Sequence, residues 1–189
     1  MINKNIILAG VGGQGLVLTT KLICEAALKA GYDVKSNDVI GLAQRGGRVW
    51  GSVRIGKKVY SPNIPPKSGD ILLALEPLEG LRWSGILKEK AKVIINISKI
   101  PPAHVMAEKE KYPGDIEERL SKKYDVITIN ATDEGKLLGT PKVANTILVG
   151  IMAKYLDIPM DIWEEAIKEN VPSKYIDTNM KAFKKGYDM

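Results

Sequence analysis

An apolar tetrapeptide, Ile6-Ile7-Leu8-Ala9, runs directly into Gly10-Val11-Gly12-Gly13-Gln14-Gly15, and then into Leu16, Leu18, Leu22, Ile23, Ala26 and Ala27 at helical spacing. A short apolar run bounded by glycine reads as a buried parallel strand, and the periodic stretch as an amphipathic helix. The G-x-G-x-x-G order between them makes a tight turn. It lets a ligand approach the backbone and aims the unpaired N–H groups of the helix at an anion. Two readings stand: a turn that binds nothing, and a phosphate, carboxylate or nucleotide site. A nicotinamide cofactor wants an acid about 20 residues further on. Asp33 and Asp38 bracket that distance, and neither clearly ends the second strand.

Gly31 is a natural helix stop, and Tyr32-Asp33-Val34-Lys35-Ser36 predicts a second strand. Residues 41–47 form a glycine-rich loop. Arg48 to Ile55, Gly56-Lys57-Lys58 and Val59-Tyr60-Ser61 then predict a hairpin, which brings one antiparallel pair into the sheet. A proline-rich connection leads to a buried strand from Ile71 to Leu75, ending at Glu76-Pro77, where Pro77 suits a first helical turn. Further strands are predicted at Ala91–Ile97 and Asp125–Asn130, and a charge-rich, solvated helix within 108–123. Thr140–Leu156, Asp161–Asn170 and the last dozen residues read as helices. Strands alternating with helices predict an α/β fold with a mostly parallel, mixed sheet and a Rossmann-like start. No linker interrupts it, so residues 1–189 read as a single domain.

Composition narrows the function classes. Hydrophobic residues are 44% and charged residues 26%, enough for a full core. Cys24 and His104 are the only cysteine and histidine. A disulfide framework is excluded, and a zinc or iron–sulfur site, needing about four such ligands, is not expected within this chain. The net charge of +6 suits an anionic ligand or an acidic partner. Aromatics at 6% do not make a stacking platform for single strands, so no nucleic acid is expected. No apolar run approaches the roughly 20 residues of a membrane span, and the start of the chain shows no signal peptide, so the expectation is a cytoplasmic protein with no membrane partner.

A second loop, Gln44-Arg45-Gly46-Gly47-Arg48, sets two guanidinium forks beside a pliant backbone, a pairing suited to carboxylate or phosphate. The chain has two glutamines, Gln14 and Gln44, and both lie in glycine loops at the expected ligand edge of the sheet. Glu76 is a candidate carboxylate at that edge or a helix cap. Asn145 either reaches across to the glycine loop or simply occupies a first helical turn. Cys24 reads as core, His104 as a surface residue, and Trp50 as a candidate interface anchor. No G-x-x-x-x-G-K-[ST], nucleophile elbow or acid–base pair accompanies these features. The pattern is that of a domain shaping a site completed elsewhere.

Five ordered segments carry a resemblance. Gly10-Val11-Gly12-Gly13-Gln14-Gly15, then Gln44-Arg45-Gly46-Gly47, then the stretch from Asp70 to Glu76-Pro77 resemble the gamma-type domain of 2-oxoacid:ferredoxin oxidoreductases. So does the ending from Asn179 to Tyr187. Glu79-Gly80-Leu81-Arg82 through Ile100-Pro101-Pro102, with Val171 to Asp177, is similar to the smaller, beta-type subunit of the indolepyruvate branch. The resemblance implies a three-layer α/β/α domain and CoA-dependent oxidative decarboxylation of an aryl 2-oxoacid to an acyl-CoA, with reduction of ferredoxin. It implies a larger alpha subunit that carries thiamine diphosphate and [4Fe-4S] clusters, coenzyme A as co-substrate, no cofactor held by this chain alone, and little activity for the isolated chain. It also implies that Gly10, Gly12, Gly13, Gln14, Gly15, Gln44, Arg45 and Gly47 belong to the family's two loops. Gly46 departs from many relatives of that branch, so a gamma subunit for pyruvate or another 2-oxoacid stays open. From the residues themselves, Gly46, Arg48, Glu76 and Asn145 join the candidate site. A stand-alone NAD(P)- or flavin-binding protein and a non-catalytic scaffold are the competing readings.

Overall fold

The computed structural model describes residues 3–39, 47–101 and 111–189. Six strands form one sheet: β1 (Lys4–Val11), β2 (Asp33–Val39), β3 (Arg48–Gly56), β4 (Gly69–Ala74), β5 (Leu87–Asn96) and β6 (Asp125–Ile129), in the order β2-β3-β1-β4-β5-β6. β1, β4, β5 and β6 are parallel, while β3 runs against both β1 and β2. The sheet is therefore mostly parallel and mixed.

Seven described helices cover it: α1 (Leu16–Lys29), α2 (Pro77–Trp83), α3 (Ile116–Ser121), α4 (Ala131–Leu137), α5 (Ala144–Ala153), α6 (Met160–Asn170) and α7 (Ile176–Tyr187). Alternation along the strands decides which layer each meets. Ile6 and Leu8 of β1, with Ile71 and Leu73 of β4, pack under α1, α5, α6 and α7. Ile7 and Ala9, with Leu72 and Ala74, pack under α2 and α3. This is the three-layer α/β/α arrangement.

The expected hairpin of Arg48–Ile55 with Val59–Ser61 does not form. Both edges of β3 are already taken: Lys4–Val11 pairs along one side and Asp33–Val39 along the other. The antiparallel hairpin of this sheet is β2–β3. The segment after Gly56 crosses the α2 side of the sheet instead. It is held where Ser52 Oγ donates to the Pro62 carbonyl (2.9 Å) and Arg54 Nη1 donates to those of Ser61 and Asn63 (both 3.1 Å). Within 108–123, the described helix is only α3. The sequence reading missed α4, whose signal was Asn130: its side chain accepts from the Asp133 N–H at 3.1 Å, an N-cap.

On the α1 side, Trp163 of α6 and Phe183 of α7 are both fully buried, with ring centroids 5.5 Å apart. Phe183 also lies 6.2 Å from Tyr187. Phe183→Ala removes the centre of this cluster and is expected to cost about 3–5 kcal/mol, read as a fall of at least roughly 6 °C in Tm by calorimetry. An unchanged Tm would show that this helical layer collapses freely around the gap.

Candidate functional site

The glycine turn lies at the carboxyl end of β1, between β3 and β4. Gly13 (φ +94°) and Gly15 (φ +81°) adopt left-handed backbone that other residues take at a cost. Gly15 caps α1 with no side-chain hydrogen bond, and the first turn of α1 has no acid. Its leading N–H groups thus keep their partial positive charge for a ligand. The turn is tied to the second loop by Gly12 N–H donating to the Gly47 carbonyl at 2.7 Å.

Gln14 folds back over this turn. Its Oε1 accepts from Val11 N–H (2.7 Å), and its Nε2 donates to the Leu75 carbonyl (2.8 Å). A side chain on Gly10 would strike both Gln14 and Leu75. Asn145, in the first turn of α5, does reach across to the loop: Nδ2 donates to the Gln14 carbonyl (2.6 Å) and to Thr19 Oγ1 (3.0 Å). Both alternatives for Asn145 are therefore true together. Beside it, a cavity of about 240 Å³ opens between α1, α5 and α7, lined in part by Gly15, Leu18, Thr140, Lys142, Asn145 and Tyr175. That is below the roughly 300–1,000 Å³ of a complete ligand pocket.

Glu76 is 1% exposed and acts as a helix cap. Its Oε2 accepts from Glu79 N–H (3.0 Å), and its Oε1 accepts from Tyr112 O–H (2.6 Å) and Ile100 N–H (3.3 Å). Burial, reinforced by the Glu76 carboxylate, pushes the Tyr112 hydroxyl far above its ordinary pKa. Tyr112 O–H is a fixed donor here.

Arg48 is separated from the glycine turn's cavity. It starts β3 on the α2 side and lines a groove of about 560 Å³ with Val39, Trp50, Glu79, Arg82 and Trp83. Sequence reasoning passed over Glu79, Arg82, Trp83 and Tyr112. The available signal was Glu79 and Arg82 at i,i+3, which reads as an ordinary surface pair. In the structure Glu79 is 2% exposed and pairs with Arg82. Gln44, Arg45, Gly46 and His104 lie outside the described residues.

The acids considered for a ribose are committed elsewhere. Asp33 begins β2, at the opposite end of the sheet, and holds Lys35 (2.6 Å) and Val59 N–H (2.9 Å). Asp38 accepts from Thr20 Oγ1 at 2.8 Å. Cys24, half-buried on α1, has its thiol pushed up to about 11, chiefly by burial, with Asp38 adding and a Ser36 hydrogen bond opposing.

Residues 5–189 match the family described as pyruvate ferredoxin/flavodoxin oxidoreductase. The chain is 40% identical over 190 residues to the Archaeoglobus fulgidus indolepyruvate oxidoreductase subunit IorB, covering 97% of this chain and 94% of that one. It is 28% identical over 184 residues to the Pyrococcus furiosus pyruvate/ketoisovalerate oxidoreductases common subunit gamma, covering 95% and 92%. Among solved structures it resembles the gamma subunit of the keto/oxoacid ferredoxin oxidoreductase of Geobacter sulfurreducens, with a TM-score of 0.73, 25% identity, and coverage of 98% and 96%.

Gln14→Ala leaves Val11 N–H and the Leu75 carbonyl without their partner and is expected to destabilise the chain by about 2 kcal/mol or more, measured by urea unfolding. A change under about 0.5 kcal/mol would mean that water replaces the amide without cost. Cys24 is expected to react with iodoacetamide at pH 8 at least about tenfold more slowly than free cysteine, even allowing for the greater nucleophilicity of a less acidic thiolate. Mass spectrometry of timed samples reads this directly, and a rate equal to that of free cysteine would contradict the raised pKa.

Proposed function

This chain belongs to the pyruvate ferredoxin/flavodoxin oxidoreductase family, and on that premise we propose that it is the smaller subunit of an indolepyruvate ferredoxin oxidoreductase. The observation that carries the aryl-pyruvate assignment is the 40% identity to an indolepyruvate oxidoreductase subunit over nearly the whole chain, against 28% to a subunit shared by pyruvate and ketoisovalerate enzymes. The reaction breaks the bond between the carboxylate and keto carbons of the 2-oxoacid. Carbon dioxide leaves, the acyl carbon forms a thioester with the coenzyme A sulfur as its thiol proton is released to solvent, and the two electrons freed pass to ferredoxin.

This chain's own share is binding and assembly. A [4Fe-4S] cluster takes about four thiolates, and the chain has one cysteine. Among the described residues no group of three or more His, Cys, Asp or Glu side chains could hold a metal. The clusters are accordingly assigned to a larger alpha subunit; thiamine diphosphate is placed there on the family resemblance alone, and the isolated chain is expected to be inactive. The glycine turn from Gly10 to Gly15, with Asn145 fixing its carbonyl, is proposed to lie at the interface with that subunit. Together with the second loop (Gln44, Arg45, Gly46 and Gly47), it would hold the diphosphate of coenzyme A. The uncapped start of α1, the open Gly13 and the absence of an acid in that turn support this reading. Arg48 opens on the other side of the sheet and is left out of the diphosphate group. The commitment of Asp33 and Asp38 counts against a stand-alone NAD(P) binder. Among the described residues, no helix is long and apolar enough to cross a membrane.

A tagged chain drawn from its native cells should bring a larger, brown subunit with it. The complex should reduce ferredoxin in the presence of indolepyruvate and coenzyme A, while the chain alone does not. A colourless, solitary chain that binds NADH would overturn the assignment, and activity with pyruvate alone would move it to another branch of the family. Within the complex, Gly13→Val and Arg45→Ala should each weaken coenzyme A at least tenfold, both as KM and in equilibrium titration, with the complex intact. Unchanged affinity in both variants would remove coenzyme A from these loops.

A further inference from the structure

The amino edge of the sheet, opposite to the glycine turn, concentrates positive charge that the proposed chemistry does not use. An open groove of about 950 Å³ crosses the starts of β5 and β6. Its walls set five lysines (Lys67, Lys88, Lys90, Lys122 and Lys123) against two acids, Glu89 and Asp125. All seven residues are exposed. Asp125 is paired with Lys92, Lys88 with Asp70, and Lys122 with Glu118 at 3.0 Å. Lys67, Lys90 and Lys123 have no ion-pair partner among the described residues, which leaves Glu89 to offset all three.

The backbone is bent to present these lysines. Gly69 of β4 pairs with Leu87, and Ile71 with Lys92, so β5 has three more residues than β4 over the same step. The surplus is a bulge, a device that re-aims side chains at a sheet edge, and it carries Lys88, Glu89 and Lys90. Lys90 N–H donates to the Lys123 carbonyl at 3.0 Å, which ties the bulge to the chain leaving α3. Lys67 (φ +61°) and Lys90 (φ +57°) are the two non-glycine residues with left-handed backbone among the described residues. Glycine or asparagine takes that conformation at less cost, so the local fold does not call for lysine at either position. Backbone strain of this kind clusters at functional sites, and here both instances line one groove. The described residues that flank 40–46 and 102–110 lie at the carboxyl edge, roughly 30 Å away along the ten residues of β5. Asn3 lies beside Gly56 at the end of β3, away from β5.

The chemistry of the groove specifies the kind of partner. A permanent subunit interface has an apolar core, whereas the large apolar side chains here are Leu87, itself 1% exposed, and the partly covered Tyr124. A small anion among exposed lysines would keep much of its surface in water, and ligand sites enclose most of theirs. Exposed ammonium groups instead speed the encounter with an acidic protein surface, in a salt-dependent way. Weak electron-transfer encounters use small interfaces of this transient kind. The function proposed above requires one transient protein partner, the electron acceptor.

We propose that this groove is a landing site for an acidic face of the ferredoxin that the complex reduces, with Lys67, Lys90 and Lys123 as its contacts. This rests on the function proposed above. It requires the larger subunit's outermost cluster to lie within electron-transfer reach of the amino edge.

The test uses the co-expressed complex and the ferredoxin of the same cells. A triple variant, Lys67→Asn, Lys90→Asn and Lys123→Gln, removes the three charges, and asparagine suits the two left-handed positions. Its KM for ferredoxin should rise at least tenfold at low ionic strength, while kcat with a viologen dye stays the same. The difference should fall away near 1 M salt, where the Debye length is about 3 Å. Arginine at the same three positions should leave the KM for ferredoxin unchanged. An unchanged KM for ferredoxin in the triple variant at low salt overturns the landing site while leaving the function intact. So does weaker assembly of that variant by mass photometry, which assigns the groove to the larger subunit. A raised KM for coenzyme A with that for ferredoxin unchanged assigns it to a small anion and also overturns the proposal. Sedimentation of the unaltered complex with phosphatidylglycerol vesicles, abolished in the variant while the KM for ferredoxin holds, assigns it to a membrane surface, with the same consequence. A complex that reduces the dye and never ferredoxin, or no complex at all, overturns the proposed function as well.

Discussion

The Gln14 carboxamide is the clasp on which the ligand edge of this sheet depends. It gives Val11 N–H an acceptor and the Leu75 carbonyl a donor, and so joins the ends of β1 and β4 just where their ladder stops. Parallel strands leave orphaned backbone groups at that edge, and burying them unpaired is expensive. The clasp works only because Gly10 has no side chain to displace it. The neighbouring strands end in the same way, with polar side chains in place of further ladder. Glu76 follows β4 and caps α2; Asn96 ends β5 and donates to Thr132 Oγ1 at 3.0 Å; Asn130 follows β6 and caps α4. The result is a row of short polar stitches along one edge, with the glycine turn as its most open part.

That edge separates two unlike surfaces. On the α1 side, Asn145 pins the turn from above, and the helical layer leaves only a small cavity beside it. A group resting on the turn would meet helix N–H dipoles and backbone, with few charged side chains. On the α2 side, Glu76 and Tyr112 tie α2 down through their side-chain oxygens, and beyond them lies the groove with its tryptophans and arginines. The same strand residues divide the two: Val49 faces the α1 layer, while Arg48 and Trp50, its neighbours, face the other. The period of two in a strand thus splits one stretch of sequence between two surfaces.

Much of the fold was legible because its signals are local. The strand–turn–helix opening, the helices α5, α6 and α7 and the strand ending at Glu76-Pro77 each announce themselves within a dozen residues. The hairpin was misplaced for a non-local reason. Gly56-Lys57-Lys58 looks like a turn, but nothing near it reveals that β1, far back in the chain, already occupies that edge of β3. Asn145 was suspected of reaching the loop, and it does so across 131 positions of sequence. Glu79 was not suspected, because burial of a carboxylate depends on what lies over it. Arg48 was grouped with the glycine turn by closeness in sequence, although strand alternation sends it to the opposite face.

The incompleteness of each surface has a physical reading in common. The cavity beside the turn is smaller than a ligand pocket, Trp50 and Trp83 beside the groove are only partly covered, and Glu79 Oε2 accepts no hydrogen bond among the described residues. A domain selected to work alone would gain stability by filling such gaps, since orphaned buried oxygens and half-covered tryptophans both cost free energy. Persistence of all three in one small domain is what a subunit should show, because the groups that complete them come with the partner. Stability of the isolated chain is then expected to be lower than that of the chain in its complex, with the difference concentrated around α2 and the start of β3. The helical layer around Trp163 and Phe183 is deeply buried, although Trp163 Nε1 too has no hydrogen-bond partner among the described residues.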